Sequence, residues 1–365
     1  MTLDATIRAV FATRGAAMVE VPILQPADPF LDMAGEDLRR RIFLTESETG
    51  AQLCLRPEFT IPVCLDHIAS RAGTPRRYAY LGEVFRQRRD GSPEFLQAGI
   101  EDLGDTDTAA ADARVIADAH GLLAASLPGV ALEITLGDQA VFEAVLAALG
   151  LPRGWQKRLA RAFGAPEVLA AALADLSRIP ANENIDRSLP DLSEHAALVA
   201  YVAAEMERTG LPHGAGRTPE EIARRLAEKA ELAKVRLPEP ALAALKAFLE
   251  IRVALEDAAE TLEAFSQDVG LRLGAALDAF AARAERIRSA GLGTTPIRYD
   301  AAFGRPLDYY TGLVFEITAS GSLRPLVGGG RYDRLLTLLG ASDPIPGVGF
   351  SVWLDRIEAL RKAQP

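Results

Sequence analysis

The chain has 365 residues, 49% of them hydrophobic and 25% charged, with a net charge of -10; it is long enough for two domains and has the composition of a globular protein. The acidic balance excludes a broad surface for nucleic acid, since phosphate binding draws on Lys and Arg, although a small basic patch is compatible with it. Two cysteines, Cys54 and Cys64, make neither a disulfide framework nor a zinc site and read as small core residues. The N-terminal segment has no uninterrupted apolar run of signal-peptide or membrane-span length, so a cytoplasmic protein without metal is expected.

In chain order, Ile7, Val10 and Phe11 recur at helical spacing over residues 2–17, and Gly15 offers a stop. The segment MVEVPILQPADPF, with Pro22 and Pro26, reads as an edge strand turning into a loop. A hairpin follows, IFLT and AQLCLRP around a turn at residues 47–50. Ile61, Leu65 and Ile68 then predict a helix with Thr60 as N-cap and Pro62 in its first turn.

RRYAYLGEVFRQ and FLQAGIEDLG predict a second hairpin across the Asp90-Gly91 turn. These segments carry polar residues in otherwise apolar strands, namely Arg86, Gln97 and Glu101, with Arg56 and Glu58 just upstream, and that combination points to a pocket for a small polar molecule. Alternation places Gln97, Gly99 and Glu101 on one face, with the glycine leaving room between them. Residues 108–126 predict a core helix and 132–136 a strand, and Asp138 caps a helix that stops at Gly150.

From 151 to 290 the pattern is helical throughout, without strands, and its charges alternate along solvated faces. His67, His120, His195 and His213 are scattered without metal-ligand spacing. Strand character resumes at Pro296. The glycines 328–330 read as a tight turn, and Phe350, Leu354, Ile357 and Leu360 as one amphipathic helix. One strand-rich region, 1–150 and 291–365, is therefore interrupted by a helical insertion over 151–290.

The ordered set LRPEFT, VFRQ, FLQAGIEDLG, RPLDYYTGLVFE, GGGRYD and GVGFSVWLDR resembles the catalytic core of histidyl-tRNA synthetase, a class II synthetase. VEVPIL resembles the first class II motif, the stretch around Phe85 and Arg86 the second, and GVGFSVWLDR the third. The resemblance implies an α+β fold, an antiparallel sheet flanked by helices. It also implies a histidine-like pocket in which Glu58, Thr60, Gln97 and Glu101 surround the ammonium end, Arg305 meets the carboxylate, and Tyr309 and Tyr310 lie near the imidazole. Arg86 and Arg356 match the arginines that hold ATP in class II enzymes.

The departures carry as much information. Trp353 stands where active synthetases have glycine, the loop RQRRDGSPEF is short, Phe59 replaces a small residue, and the chain ends at Pro365, directly after the third-motif helix, without an anticodon-binding domain. These departures resemble the regulatory subunit of ATP phosphoribosyltransferase, the synthetase paralogue of histidine biosynthesis. That likeness implies a non-catalytic chain without a cofactor, paired with a short catalytic ATP phosphoribosyltransferase subunit and with itself in a hetero-octamer, and taking part in feedback inhibition by L-histidine. The alternative reading is a truncated enzyme that still forms histidyl adenylate.

Overall fold

The computed structural model describes residues 2–33, 36–89, 91–177, 194–210, 218–233, 237–305, 307, 309–322 and 324–363. Among the described residues, twelve strands form two sheets. They are β1 (Ala17–Met18), β2 (Leu24–Pro26), β3 (Leu44–Glu46), β4 (Gln52–Leu55), β5 (Arg76–Phe85), β6 (Glu94–Leu103), β7 (Leu132–Asp138), β8 (Arg252–Ala254), β9 (Ile297–Asp300), β10 (Leu313–Ala319), β11 (Pro325–Arg331) and β12 (Gly347–Trp353). Nine make one sheet, in the order β1-β5-β6-β12-β11-β10-β7-β9-β8, and β2-β4-β3 make a small one. The pairings from β5 across to β7 are all antiparallel, and parallel pairs occur where β1 meets β5 and β7 meets β9. Helices pack against this sheet, Thr108–Ser126 among them, as the α+β expectation requires.

Both predicted hairpins form, β3 against β4 and β5 against β6. The helix expected at 108–126 spans Thr108–Ser126, and Asp138 caps Gln139–Ala148 by accepting from the Ala140 and Val141 amides. Four readings need correction. Arg252–Ala254, inside the stretch read as strand-free, is a strand paired with β9. Thr60 is the first residue of the helix Thr60–Ser70 rather than its N-cap. Its orphan amides are taken by Glu58, whose carboxylate accepts from Thr60 N at 2.6 Å and Ile61 N at 2.9 Å. The glycines 328–330 lie in the middle of β11, not in a turn, and Phe350 lies in β12, with the last helix starting at Leu354. His213 and Asp90 fall outside the described residues, as do parts of the stretch expected to be helical, 178–193, 211–217 and 234–236.

Register explains the glycines. Residues facing each other across the central strands share a face, so Gln97, Gly99 and Glu101 on β6 lie beside Trp353, Ser351 and Gly349 on β12. Gly328 and Gly330 on β11 continue that face to Glu316 and Val314 on β10. A side chain at Gly330 would run into the Tyr310 ring, one at Gly328 into the Arg305 guanidinium, and one at Gly349 into the Glu101 carboxylate. Gly329 points the other way, where Phe315 needs its space. The opposite face buries Ala98, Ile100, Phe315, Ile317, Val327, Val348, Phe350 and Val352 in a core that extends to Trp155, Phe248 and Phe280. Leu198, Val202, Met206 and Ala223 form a separate small cluster between the helices His195–Thr209 and Pro219–Ala233.

Gly99 gives a first prediction. A Cβ there would overlap the Phe350 carbonyl oxygen and the Tyr80 hydroxyl, and the former is sheet backbone that cannot yield. Gly99→Ala is therefore expected to lower stability by about 2–3 kcal/mol, read as a lower urea midpoint at unchanged slope. An unchanged midpoint would mean that the sheet has slack here.

Candidate ligand pocket on the glycine-rich sheet face

The glycine-rich face is the floor of a buried polar pocket lined by Glu58, Thr60, Arg86, Gln97, Arg305, Tyr309, Tyr310, Tyr332 and Trp353, among others. Nearly every residue singled out from the sequence thus meets in one place. Glu101 lies just beneath, and its carboxylate is the hub of a hydrogen-bond network. It accepts from Thr60 Oγ1 at 2.8 Å, from the Tyr80 hydroxyl at 3.3 Å, and from the Tyr332 hydroxyl. Tyr80 reaches across Gly99 to Ser351 Oγ at 2.8 Å. Burial pushes the Glu101 carboxyl up to about 8, against the lowering effect of the Tyr332 and Thr60 hydrogen bonds. Burial also raises Glu58, opposed by the two amides it caps and by the charge of Arg86.

Two atoms in this pocket are buried without a hydrogen-bond partner, the Gln97 side-chain oxygen and Arg305 Nε. Buried polar groups are seldom left unpaired, so each marks a place where a partner belongs. Arg305 meanwhile turns one end to Glu316. Its guanidinium fills the space above Gly328, and its central carbon lies 5.7 Å from the centre of the Trp353 ring. The free volume left is about 50 Å³, on the order of one or two waters. An amino acid therefore fits only when Arg305 or a neighbour gives way.

The residues matched to nucleotide binding are differently occupied. Trp353 ends β12 directly opposite Gln97, 7% exposed, and Arg356 lies over its indole at 4.4 Å. Arg356 donates to the Pro325 carbonyl, and Arg86 Nε to the Pro57 carbonyl at 2.6 Å. Burial lowers Arg86 to about 10. Phe59 stacks on Tyr80 with centroids 4.3 Å apart, and Arg56 covers its other side at 4.0 Å while donating to the Val21 and Glu83 carbonyls. Arg56 is thus a structural clamp. Both cysteines are buried and free. His67 bonds the Tyr78 hydroxyl and His120 that of Thr295, and no group of metal ligands occurs among the described residues. No described helix is long and apolar enough to cross a membrane.

Sequence reasoning missed Tyr80, Tyr332 and Glu316. For Tyr332 a signal existed. Once 328–330 are a strand, alternation puts Gly328, Gly330 and Tyr332 on one face.

A sequence model of the histidyl-tRNA synthetase family matches residues 1–210 and 195–357. A relative from Mesorhizobium japonicum described as an ATP phosphoribosyltransferase regulatory subunit is 68% identical, aligned over 100% of this chain and 98% of its own. One from a Chelativorans species with the same description is 62% identical over 99% and 98%. Among solved structures, an ATP phosphoribosyltransferase regulatory subunit/histidyl-tRNA synthetase from Bacillus halodurans superposes with a TM-score of 0.68 at 22% identity, covering 98% of this chain and 78% of the other. A histidyl-tRNA synthetase from Nostoc superposes at 0.64 with 21% identity, covering 99% and 71%. At such identities the structural likeness bears on the fold.

Proposed function

This chain belongs to the family of ATP phosphoribosyltransferase regulatory subunits, built on the histidyl-tRNA synthetase fold, and from that premise we propose that it runs no reaction of its own, joins a short catalytic ATP phosphoribosyltransferase chain, and holds L-histidine in the buried pocket as the feedback signal. The observation that carries the ligand reading is the pair of orphan atoms, an acceptor on Gln97 and a donor on Arg305, in a pocket that also holds Glu58 and Thr60. An amino-acid zwitterion complements that arrangement. Its ammonium is a donor for Gln97 and the carboxylates, and its carboxylate competes with Glu316 for Arg305. The Tyr309 and Tyr310 rings, 5.0 Å apart, supply a wall for an imidazole. Histidine binding thus sets a ligand carboxylate against Glu316 at Arg305, which couples the ligand to a conformational difference, as feedback demands.

Trp353 supports the non-catalytic reading. An indole fills the position where the resemblance puts a glycine beside adenosine, and Arg356 is spent stacking on it. Assembly is proposed to be a cytoplasmic hetero-octamer containing dimers of this chain. Co-expression with a short catalytic ATP phosphoribosyltransferase chain is expected to give a stable complex by light scattering, with transferase activity that needs both chains and falls when histidine is added. Two results would overturn parts of this reading. Histidine-dependent exchange of pyrophosphate into ATP by the isolated chain would make it an adenylate-forming enzyme, and inhibition of the complex without any heat of histidine binding to this chain would move the effector site elsewhere.

A further inference from the structure

A second cavity, about 470 Å³, adjoins the pocket across Arg305, Leu307 and Tyr310 and touches none of Arg86, Trp353 or Arg356. Five cationic side chains line it, Arg153, Lys157, Arg161, Arg305 and Arg334, against one carboxylate, Glu143. Three of them, Arg153, Lys157 and Arg161, are spaced by four on the helix Arg153–Ala162 and so stack along one face, where like charges repel. Glu143 is already engaged, accepting from Gln139 Nε2 at 3.1 Å and paired with Arg334 at 3.7 Å. Arg153 and Lys157 have no ion-pair partner among the described residues. In a chain of net charge -10, such a concentration of positive charge around one concavity is a local feature.

We propose that this cleft binds a small molecule carrying two or more linked phosphates. Several cations converging from different elements suit a polyanion better than a single carboxylate. Arginine matches phosphate geometry through its fork of donors, while lysine adds a mobile point charge. The volume is that of a nucleotide-sized ligand rather than of a nucleic-acid groove, which the acidic remainder of the surface would oppose. The wall shared at Tyr310, together with Phe163, gives an apolar side on which a sugar or base rests.

The test titrates the full-length chain with inorganic pyrophosphate, ATP and inorganic phosphate by calorimetry, at one ionic strength held with sodium chloride. Pyrophosphate and ATP are expected to bind saturably, and single phosphate at least about tenfold more weakly. The double variant Arg153→Gln/Lys157→Gln, altered at two exposed positions, is expected to keep the wild-type melting temperature without ligand and to lose pyrophosphate affinity at least about tenfold. Equal binding of single phosphate and pyrophosphate, no saturable binding at millimolar concentrations, or a double variant that binds as wild type would each overturn the site. Histidine is titrated separately, so failure here leaves the amino-acid pocket standing, and the reverse holds too.

Discussion

Asp112→Ala is expected to destabilise the chain by about 3–5 kcal/mol, the cost of breaking a buried ion-pair network by removing one partner. Asp112 is 0% exposed and sits in the helix Thr108–Ser126, which also buries Ala111, Val115, Ile116 and Ala119. Its two oxygens hold two arginines. Arg331 donates from Nε at 2.9 Å and from a terminal nitrogen at 2.6 Å, and Arg283 donates from Nε at 2.6 Å. Arg283 also bonds Asp138, while Arg331 reaches Asp333 at 2.7 Å and the Thr108 carbonyl at 3.0 Å. One carboxylate thus ties β11, the end of β7 and two helices together. Alanine would leave two guanidinium groups short of a counter-charge in a dry environment. Asp112→Asn keeps one acceptor and is expected to lose less. Equilibrium urea unfolding reads both, and a shift below about 1 kcal/mol for alanine would show that water reaches the arginines. The effect extends to the pocket, because Arg331 precedes Tyr332, whose hydroxyl bonds Glu101.

That network marks where sequence reading stops. Local elements were legible because their signals are local. The alternation in β5 and β6, the Asp138 cap and the alanine-rich helix at 108–126 all lie within a few residues of what they determine. The pocket was legible for a different reason, the unusual presence of Gln97 and Glu101 in an apolar strand and the motifs that carry the family resemblance. Asp112 and Arg331 are 219 positions apart, and no periodicity links them. The glycines 328–330 show a competing principle at work. Read alone, three glycines favour a turn through backbone freedom, yet here they serve close approach, because Arg305, Phe315 and Tyr310 take the space that side chains would fill. Phe350 stands at helical spacing from Leu354 and Ile357 although it lies in β12, and a strand running directly into a helix leaves no turn residue to divide them. The residue type of Thr60 suits an N-cap, whereas the capping oxygen comes from Glu58, two positions earlier, a longer side chain folding forward over the helix start.

Glu101→Gln is expected to weaken histidine binding by about 10–100-fold, as one charge-assisted hydrogen bond is worth about 1.5–3 kcal/mol, and Glu58→Ala to abolish measurable binding while also unsettling the helix it caps. The pH dependence separates a ligand role for Glu101 from mere packing. In the empty pocket burial keeps this carboxyl protonated up to about 8, well above its range in an unfolded chain. Between the unfolded value and about 8 the folded state therefore binds the extra proton, so this group's contribution to stability is full at acid pH and is lost as pH rises through about 8. An incoming ammonium reverses the preference, because a positive charge beside the carboxylate favours its ionised form. Histidine binding near pH 7 is then expected to release a proton, and affinity to rise towards pH 8 until the ligand's own amine begins to deprotonate. Calorimetry in two buffers of different ionisation enthalpy counts that proton, and Glu101→Gln is expected to remove both the release and the pH slope while keeping the shape of the pocket. PH-independent histidine binding with no proton release, or a glutamine variant that binds as wild type, would mean that Glu101 serves Thr60, Tyr80 and Tyr332 alone and that the ammonium is met elsewhere.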